Sequence, residues 1–305
     1  MTLTSAKAIV SREDSATLAD WAELLRPRIA GMVAFTAFIS ALLASGPGAK
    51  LAGVFEVAFW VTLSAGAGSV LNQVLERDTD GLMERTRNRP LVRGVISPRD
   101  GILFAAVLMV GSLIGLALRF SVLSALLAAG TLLLYIAIYT PLKRISALNT
   151  VPGAVAGAAP PAIAWAAVTG SLDGWGVWLT AILFVWQFPH FMAIAWMYKD
   201  EYRSAGLRML AGEVGGEAIA GRHALQQSLL LILLVLLPGV QGAAGSVFSI
   251  GALIAGLGYA VYALRFARQQ SRPRARGLLL VSLFYLPLVF SLALFDPIVQ
   301  LTIRS

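Results

Sequence analysis

Asn72, Glu76 and Asp80 recur at intervals of four in the stretch NQVLERDTDGLMERTRNRPLVRG, residues 72–94. A helix turns by about 100° per residue, so positions four apart drift only slowly across one face. One amide and two carboxylates would therefore point together, while Asp78 lies off that face. Oxygen donors of this kind suit Mg²⁺, which keeps waters and is commonly shared between one or two carboxylates and a substrate phosphate. Arg85, Arg87, Arg89 and Arg93 follow at once, and guanidinium forks match phosphate oxygens. The expectation is a metal site on Asn72, Glu76 and Asp80, with Arg85 and Arg89 on a diphosphate. A solvated, positively charged loop accounts for the arginines equally well; the regular spacing of the oxygens is what argues for chemistry.

A second group lies in WQFPHFMAIAWMYKDEYRSAG, residues 186–206, where Asp200 and Glu201 sit among Tyr198, Lys199 and Tyr202. Alone these acids read as an ordinary charged helix end. Beside the first group they become candidate ligands of a second Mg²⁺, because a two-metal clamp neutralises a departing diphosphate; Lys199 would join the diphosphate ligands. His190 precedes Glu201 by eleven residues and shares its helix face. Its imidazole could ligate haem iron or bond a propionate. Alternatively it serves a structural need, satisfying the Val185 carbonyl that Pro189 frees or bonding a partner helix. His223, beside Arg222, reads as solvated. Lys143 and Arg144 read first as loop cations.

These groups must be held by membrane helices. The 305-residue chain is 58% hydrophobic, has a mean hydropathy of +0.77 and is only 13% charged, about half the charged share of a soluble domain. Apolar runs long enough to cross a bilayer are predicted at 29–45, 53–74, 101–118, 121–140, 149–168, 174–197, 224–243, 246–267 and 277–295. Of 24 Lys and Arg, all but Lys50, Arg119 and Arg304 then fall on the side of the N-terminus, so the positive-inside rule puts that end in the cytoplasm and the C-terminus outside. Loop topology thus accounts for the net charge of +8, and no nucleic-acid partner is implied. There is no cysteine, hence no disulfide, thiol nucleophile or thiolate metal site. Residues 1–20 lack the apolar core of a signal peptide and carry acids foreign to a transit peptide, so insertion would rely on the first span.

Both acid groups lie at the cytoplasmic edge, four helices apart. The expected fold is all-α: a single domain, residues 1–305, of nine transmembrane helices around a central cavity, built as two four-helix halves plus one helix. Residues 1–22 are expected to be a flexible cytoplasmic leader. A transporter would place its ionisable groups nearer the midplane. Here only His190 is deep.

Asn-x-x-x-acid-x-x-x-Asp, followed by Arg85, Thr86, Asn88, Arg89 and Pro90, resembles the first aspartate-rich motif of the UbiA prenyltransferases. Glu76 stands where that superfamily usually has Asp. Its second motif, Asp-x-x-x-Asp, has Tyr198 and Tyr202 at the corresponding ends here, with the acids between them. The WQFPHF run and the block YTPLKRISALNTVPGAVAGAAPPAIAWAAVTGSLD, residues 139–173, resemble the haem O synthase branch rather than the aromatic-ring branch such as the 4-hydroxybenzoate polyprenyltransferases. The resemblance implies an Mg²⁺-dependent (or Mn²⁺-dependent) transfer of farnesyl from farnesyl diphosphate to haem B as substrate, in the inner membrane. It adds Tyr139 and Lys143 to the diphosphate ligands and makes His190 the candidate haem-binding residue, with its structural alternative left open. An association with another haem-modifying enzyme is left open.

Overall fold

The computed structural model describes residues 16–302, and among them every regular element is helical. Among the described residues, nine helices are long and apolar enough to span a membrane: α1 Pro27–Ser45, α2 Leu51–Leu75, α3 Pro98–Arg119, α4 Val122–Leu142, α5 Ala147–Thr169, α6 Gly174–Met197, α7 Gly216–Val240, α8 Ser246–Arg268 and α9 Arg272–Phe295. The predicted spans agree except at the starts of α7 and α9. The first two turns of α7 carry Glu217, Arg222 and His223, and α9 opens with Arg272, Arg274 and Arg276. Hydropathy marks where a helix becomes dry, which is later than where it begins.

Consecutive spans pack side by side, α9 returns to α1, and the nine close into a ring. Contacts between α1 and α5, and between α6 and α9, divide it into two parts. One large apolar cluster unites α6 to α9 with part of α1; a second joins α1, α2, α3, α4 and α5. Outward positions such as Leu103, Val107, Leu118, Leu126, Leu133, Leu233, Ile254 and Phe284 stay exposed. An apolar belt of that extent belongs against lipid.

The first described residues form a short helix, Leu18–Leu24, capped by Thr17 and Asp20, which exchange hydrogen bonds in a capping box. The last part of the expected flexible leader is thus helical; residues 1–15 lie outside the described residues. Arg26 links this helix to α1 with φ +53°, the only positive φ at a non-glycine among the described residues.

Within α4, residues Leu134–Tyr139 form a wide π-helical turn. Pro141 has no N–H to return to the preceding turn, and the Thr140 N–H reaches back five residues to the Tyr135 carbonyl instead. The Thr140 hydroxyl donates to that carbonyl as well, at 2.8 Å. Such turns are frequent at functional sites. This one ends where Tyr139, Thr140 and Lys143 meet the acids of α2.

Candidate active site

The end of α2 delivers Asn72, Glu76 caps it and the helix Arg77–Asp80 follows; the Glu76 N–H donates to the Asn72 carbonyl and the Asp80 N–H to the Glu76 carbonyl, so the four-residue ladder runs through all three oxygen donors. Their exposures are 0%, 7% and 1%. Each is engaged. Asn72 Oδ1 accepts from Arg26 at 2.9 Å, and its amide donates to the Thr140 hydroxyl at 3.1 Å. Glu76 pairs with the Lys143 ammonium at 2.8 Å, both side chains being 9% exposed. Asp80 pairs with Arg89. Burial pushes the Asp80 carboxyl above its usual range although Arg89 pulls the other way. Burial by itself would lower Lys143, but Tyr139 and Glu76 hold its ammonium above the ordinary value.

Tyr139 stacks on Tyr135 and lies under the Lys143 ammonium, 4.4 Å from it. The ring fits because α5 presents Gly153 there: a Cβ would come within 2.6 Å of the ring edge. Thr86, 2% exposed, donates to the Asp80 carbonyl at 2.8 Å and fastens the arginine loop to the same helix.

The second group only partly joins the first. Arg85 crosses to it, with its backbone N–H 3.3 Å from the Glu201 carboxylate and its guanidinium over the rings of Tyr198 and Tyr202. The tyrosines at the ends of the second motif therefore clamp an arginine of the first. Met83, Ala205 and Leu207 pack beneath this contact. Asp200 does not face the cluster: its side chain is 80% exposed, 3.7 Å from Arg203. Lys199 is likewise drawn elsewhere, 2.8 Å from Glu217 and 4.5 Å over the ring of Trp196. Both placements depend on which way a helix end turns, which spacing alone does not reveal. Arg26 is a member of the cluster that spacing missed; its one signal is the Arg-Pro step at the head of the first span.

His190 lies inside α6, stacked on Trp186, with Nδ1 2.8 Å from Ser282 Oγ on α9. The Ser282 hydroxyl donates to the Leu279 carbonyl at 2.6 Å, so toward the imidazole it accepts. That places the proton on Nδ1 and leaves the Nε2 lone pair available. The bond to Ser282 is the partner-helix contact expected as the alternative, while Gln187 on the same helix donates to the carbonyls of Ala154 and Leu183. His223 is exposed.

No three His, Asp or Glu side chains among the described residues are grouped closely enough to hold a metal by themselves. An amide oxygen and two carboxylates, buried with cations beside them, instead fit a Mg²⁺ whose remaining ligands come from water and a bound diphosphate. Residues 33–292 match the UbiA prenyltransferase family, and the chain belongs to that family. It is 37% identical over 290 residues to a protoheme IX farnesyltransferase of Koribacter versatilis, covering 92% of this chain and 93% of that one. It is 38% identical over 279 residues to one of Marinobacter nauticus, covering 91% and 92%. Its fold is that of a UbiA homologue from Archaeoglobus fulgidus solved with DMAPP and Mg²⁺, with a TM-score of 0.64, 18% identity and coverage of 90% and 99%.

Proposed function

We propose that this chain transfers the farnesyl group of farnesyl diphosphate to a vinyl group of haem B, giving haem O and diphosphate, at the cytoplasmic edge of the inner membrane. The observation that carries the diphosphate end is the buried row of Asn72, Glu76 and Asp80 with a cation against each. The acceptor rests on the relatives' activity and on His190, whose Nε2 is left free to meet haem.

A fifteen-carbon chain gains on the order of 10 kcal/mol on leaving water, at about 0.8 kcal/mol per carbon, whereas its diphosphate needs polar ligands. A cluster at a helix end serves both. Asn72, Glu76 and Asp80 would hold Mg²⁺, or Mn²⁺ in its place, which when bound withdraws charge from the diphosphate oxygens. Lys143, Arg85, Arg89 and Tyr139 take the remaining phosphate oxygens. The allylic C–O bond breaks with its electron pair leaving on the diphosphate, and the surrounding cations stabilise that charge as it develops. Apolar walls keep water from the allylic cation. The haem vinyl group adds to the cation through its terminal carbon, and water captures the new cation next to the macrocycle, losing a proton to give the hydroxyl. Glu201 acts by steadying the arginine loop through Arg85, and Asp200 and Lys199 stand at the rim.

Purified protein given Mg²⁺, farnesyl diphosphate and haem B should yield a haem of the mass of haem O. Prenylation of 4-hydroxybenzoate with haem left unchanged would overturn the acceptor and leave the prenyl-transfer reading intact.

A further inference from the structure

Three oxygen donors meet three cations one for one: Asn72 with Arg26 at 2.9 Å, Glu76 with Lys143 at 2.8 Å, and Asp80 with Arg89. The single amide oxygen of Asn72 and one oxygen of each carboxylate are already held from within the chain. Arg26 is the odd member. It lies 46 residues from Asn72 in sequence and outside both acid-bearing segments. Its guanidinium makes one hydrogen bond among the described residues, and its Nε is buried without a partner. It sits at φ +53° immediately before Pro27. A left-handed arginine is a strained residue, and strain of this kind persists where the surroundings impose it, often at ligand sites.

We infer that Arg26, Lys143 and Arg89 are place-holders that surrender these oxygens to the metal and turn to the diphosphate, and that Arg26 is thereby a diphosphate-binding residue. The inference rests on the diphosphate reading given above. Formal charge argues for the exchange. The three cations and two carboxylates leave one positive charge in excess. Mg²⁺ alone would raise the excess to three and leave the displaced cations facing a dication. A fully ionised prenyl diphosphate carries three negative charges, so metal and diphosphate arriving together bring the cluster to neutrality. Diphosphate alone would find two of the cations occupied by carboxylates and the third by the Asn72 amide. Each ligand therefore creates the other's site, and the coupling is reciprocal. The unused Arg26 Nε supplies a donor ready for a phosphate oxygen, which the single bond to Asn72 does not explain.

The test uses the full chain in lipid nanodiscs, Mn²⁺ as a spectroscopic stand-in for Mg²⁺, and labelled inorganic pyrophosphate. In the wild type, saturating Mn²⁺ should raise pyrophosphate affinity at least about tenfold, the upper part of ordinary coupling. Arg26→Gln frees the Asn72 oxygen, and Arg26→Gly does so while suiting the left-handed backbone, which guards against misfolding. Both variants should bind Mn²⁺ alone more tightly, by about threefold or more, yet bind pyrophosphate with Mn²⁺ at least about tenfold more weakly. Unchanged or weaker binding of Mn²⁺ alone, unchanged pyrophosphate binding, or absence of coupling in the wild type would each overturn the exchange. Coupled binding by a wild type that farnesylates no haem would instead refute the proposed acceptor and leave the exchange standing.

Discussion

Arg85 and Tyr202 lie 117 positions apart in the chain, yet the Arg85 guanidinium donates to the Tyr202 hydroxyl at 3.1 Å. This bond ties the arginine loop after α2 to the segment after α6, and so ties the two halves of the ring at the edge that carries the polar cluster. The same region is laced by the Arg208 N–H donating to the Lys143 carbonyl at 2.7 Å and the Asn149 amide donating to the Arg208 carbonyl at 2.8 Å. The three connections that reach this edge before α7 therefore act as one platform.

Asp80→Asn keeps size and polarity but removes the charge that would face the metal. Loss of about 3–4 kcal/mol of leaving-group stabilisation slows turnover by about 10²–10³. The loss is expected in kcat for haem O formation. Asp200→Asn, at a side chain that is 80% exposed, should stay within about threefold of wild type, since screened surface charges contribute little. Equal losses in the two variants would return Asp200 to the metal site.

Lys143→Met leaves the Glu76 carboxylate buried without its cation. Breaking such a pair from one side costs about 3–5 kcal/mol, so the thermal midpoint in detergent should fall clearly. The double variant Lys143→Met with Glu76→Leu should recover much of that loss yet remain inactive. A single variant as stable as the wild type would show that the pair is not dry.

His190→Ala should weaken haem binding while leaving metal-dependent pyrophosphate binding intact. Ser282→Ala removes the acceptor that holds the proton on Nδ1 and should weaken haem binding by a smaller factor, on the order of tenfold. Haem titrations of the two variants, followed by absorbance, separate these effects. Unchanged haem affinity in both would make His190 a packing residue.

Asp296 is fully buried at the end of α9, and its carboxylate accepts from the backbone N–H groups of Gly245, Phe248, Ile298 and Val299. Burial alone would raise its pKa, but these four donors hold it below the usual value. A depressed carboxylate contributes stability that is complete above the unfolded value, about 3.9, and is lost as pH falls through the folded one. Asp296→Asn should therefore lower the thermal midpoint at neutral pH, and the gap from wild type should narrow on acidification below about pH 4. A gap independent of pH would show that the carboxylate charge is not what holds α8 to α9.

A reporter fused after Ser305 should behave as periplasmic and one placed in the 81–98 loop as cytoplasmic. The motive is the confinement of basic residues other than Lys50, Arg119 and Arg304 to one side. The reverse pattern would put the Asn72 to Asp80 cluster on the wrong face for a cytoplasmic diphosphate.

The helices and the buried row of Asn72, Glu76 and Asp80 were legible because each rests on a period or a length: about twenty apolar residues per crossing, four residues per step along one face. What stayed hidden depends on partners far apart in the chain. Nothing within KDE at 199–201 says that Lys199 will turn to Glu217 or Asp200 to solvent. Nothing local to Arg26 beyond the Arg-Pro step marks it, because its partner is 46 residues away. The tyrosines at 198 and 202 could be noticed as a departure from the acidic motif, but their role as a clamp needed Arg85 in place. The wide turn in α4 follows from Pro141 only once the Thr140 N–H is seen to reach Tyr135.

That turn also works as a phase shifter. Residues before Leu134 and residues after Tyr139 belong to one helix but keep two different angular settings, because a π-helical turn holds more residues than an α-helical one. The outer stretch can orient Leu126 and Leu133 to the lipid while the inner end aims Lys143 at Glu76. Lipid-facing and site-facing positions are thereby set at separate angles within a single helix, so the lysine reaches its carboxylate while the preceding turns keep their leucines against lipid.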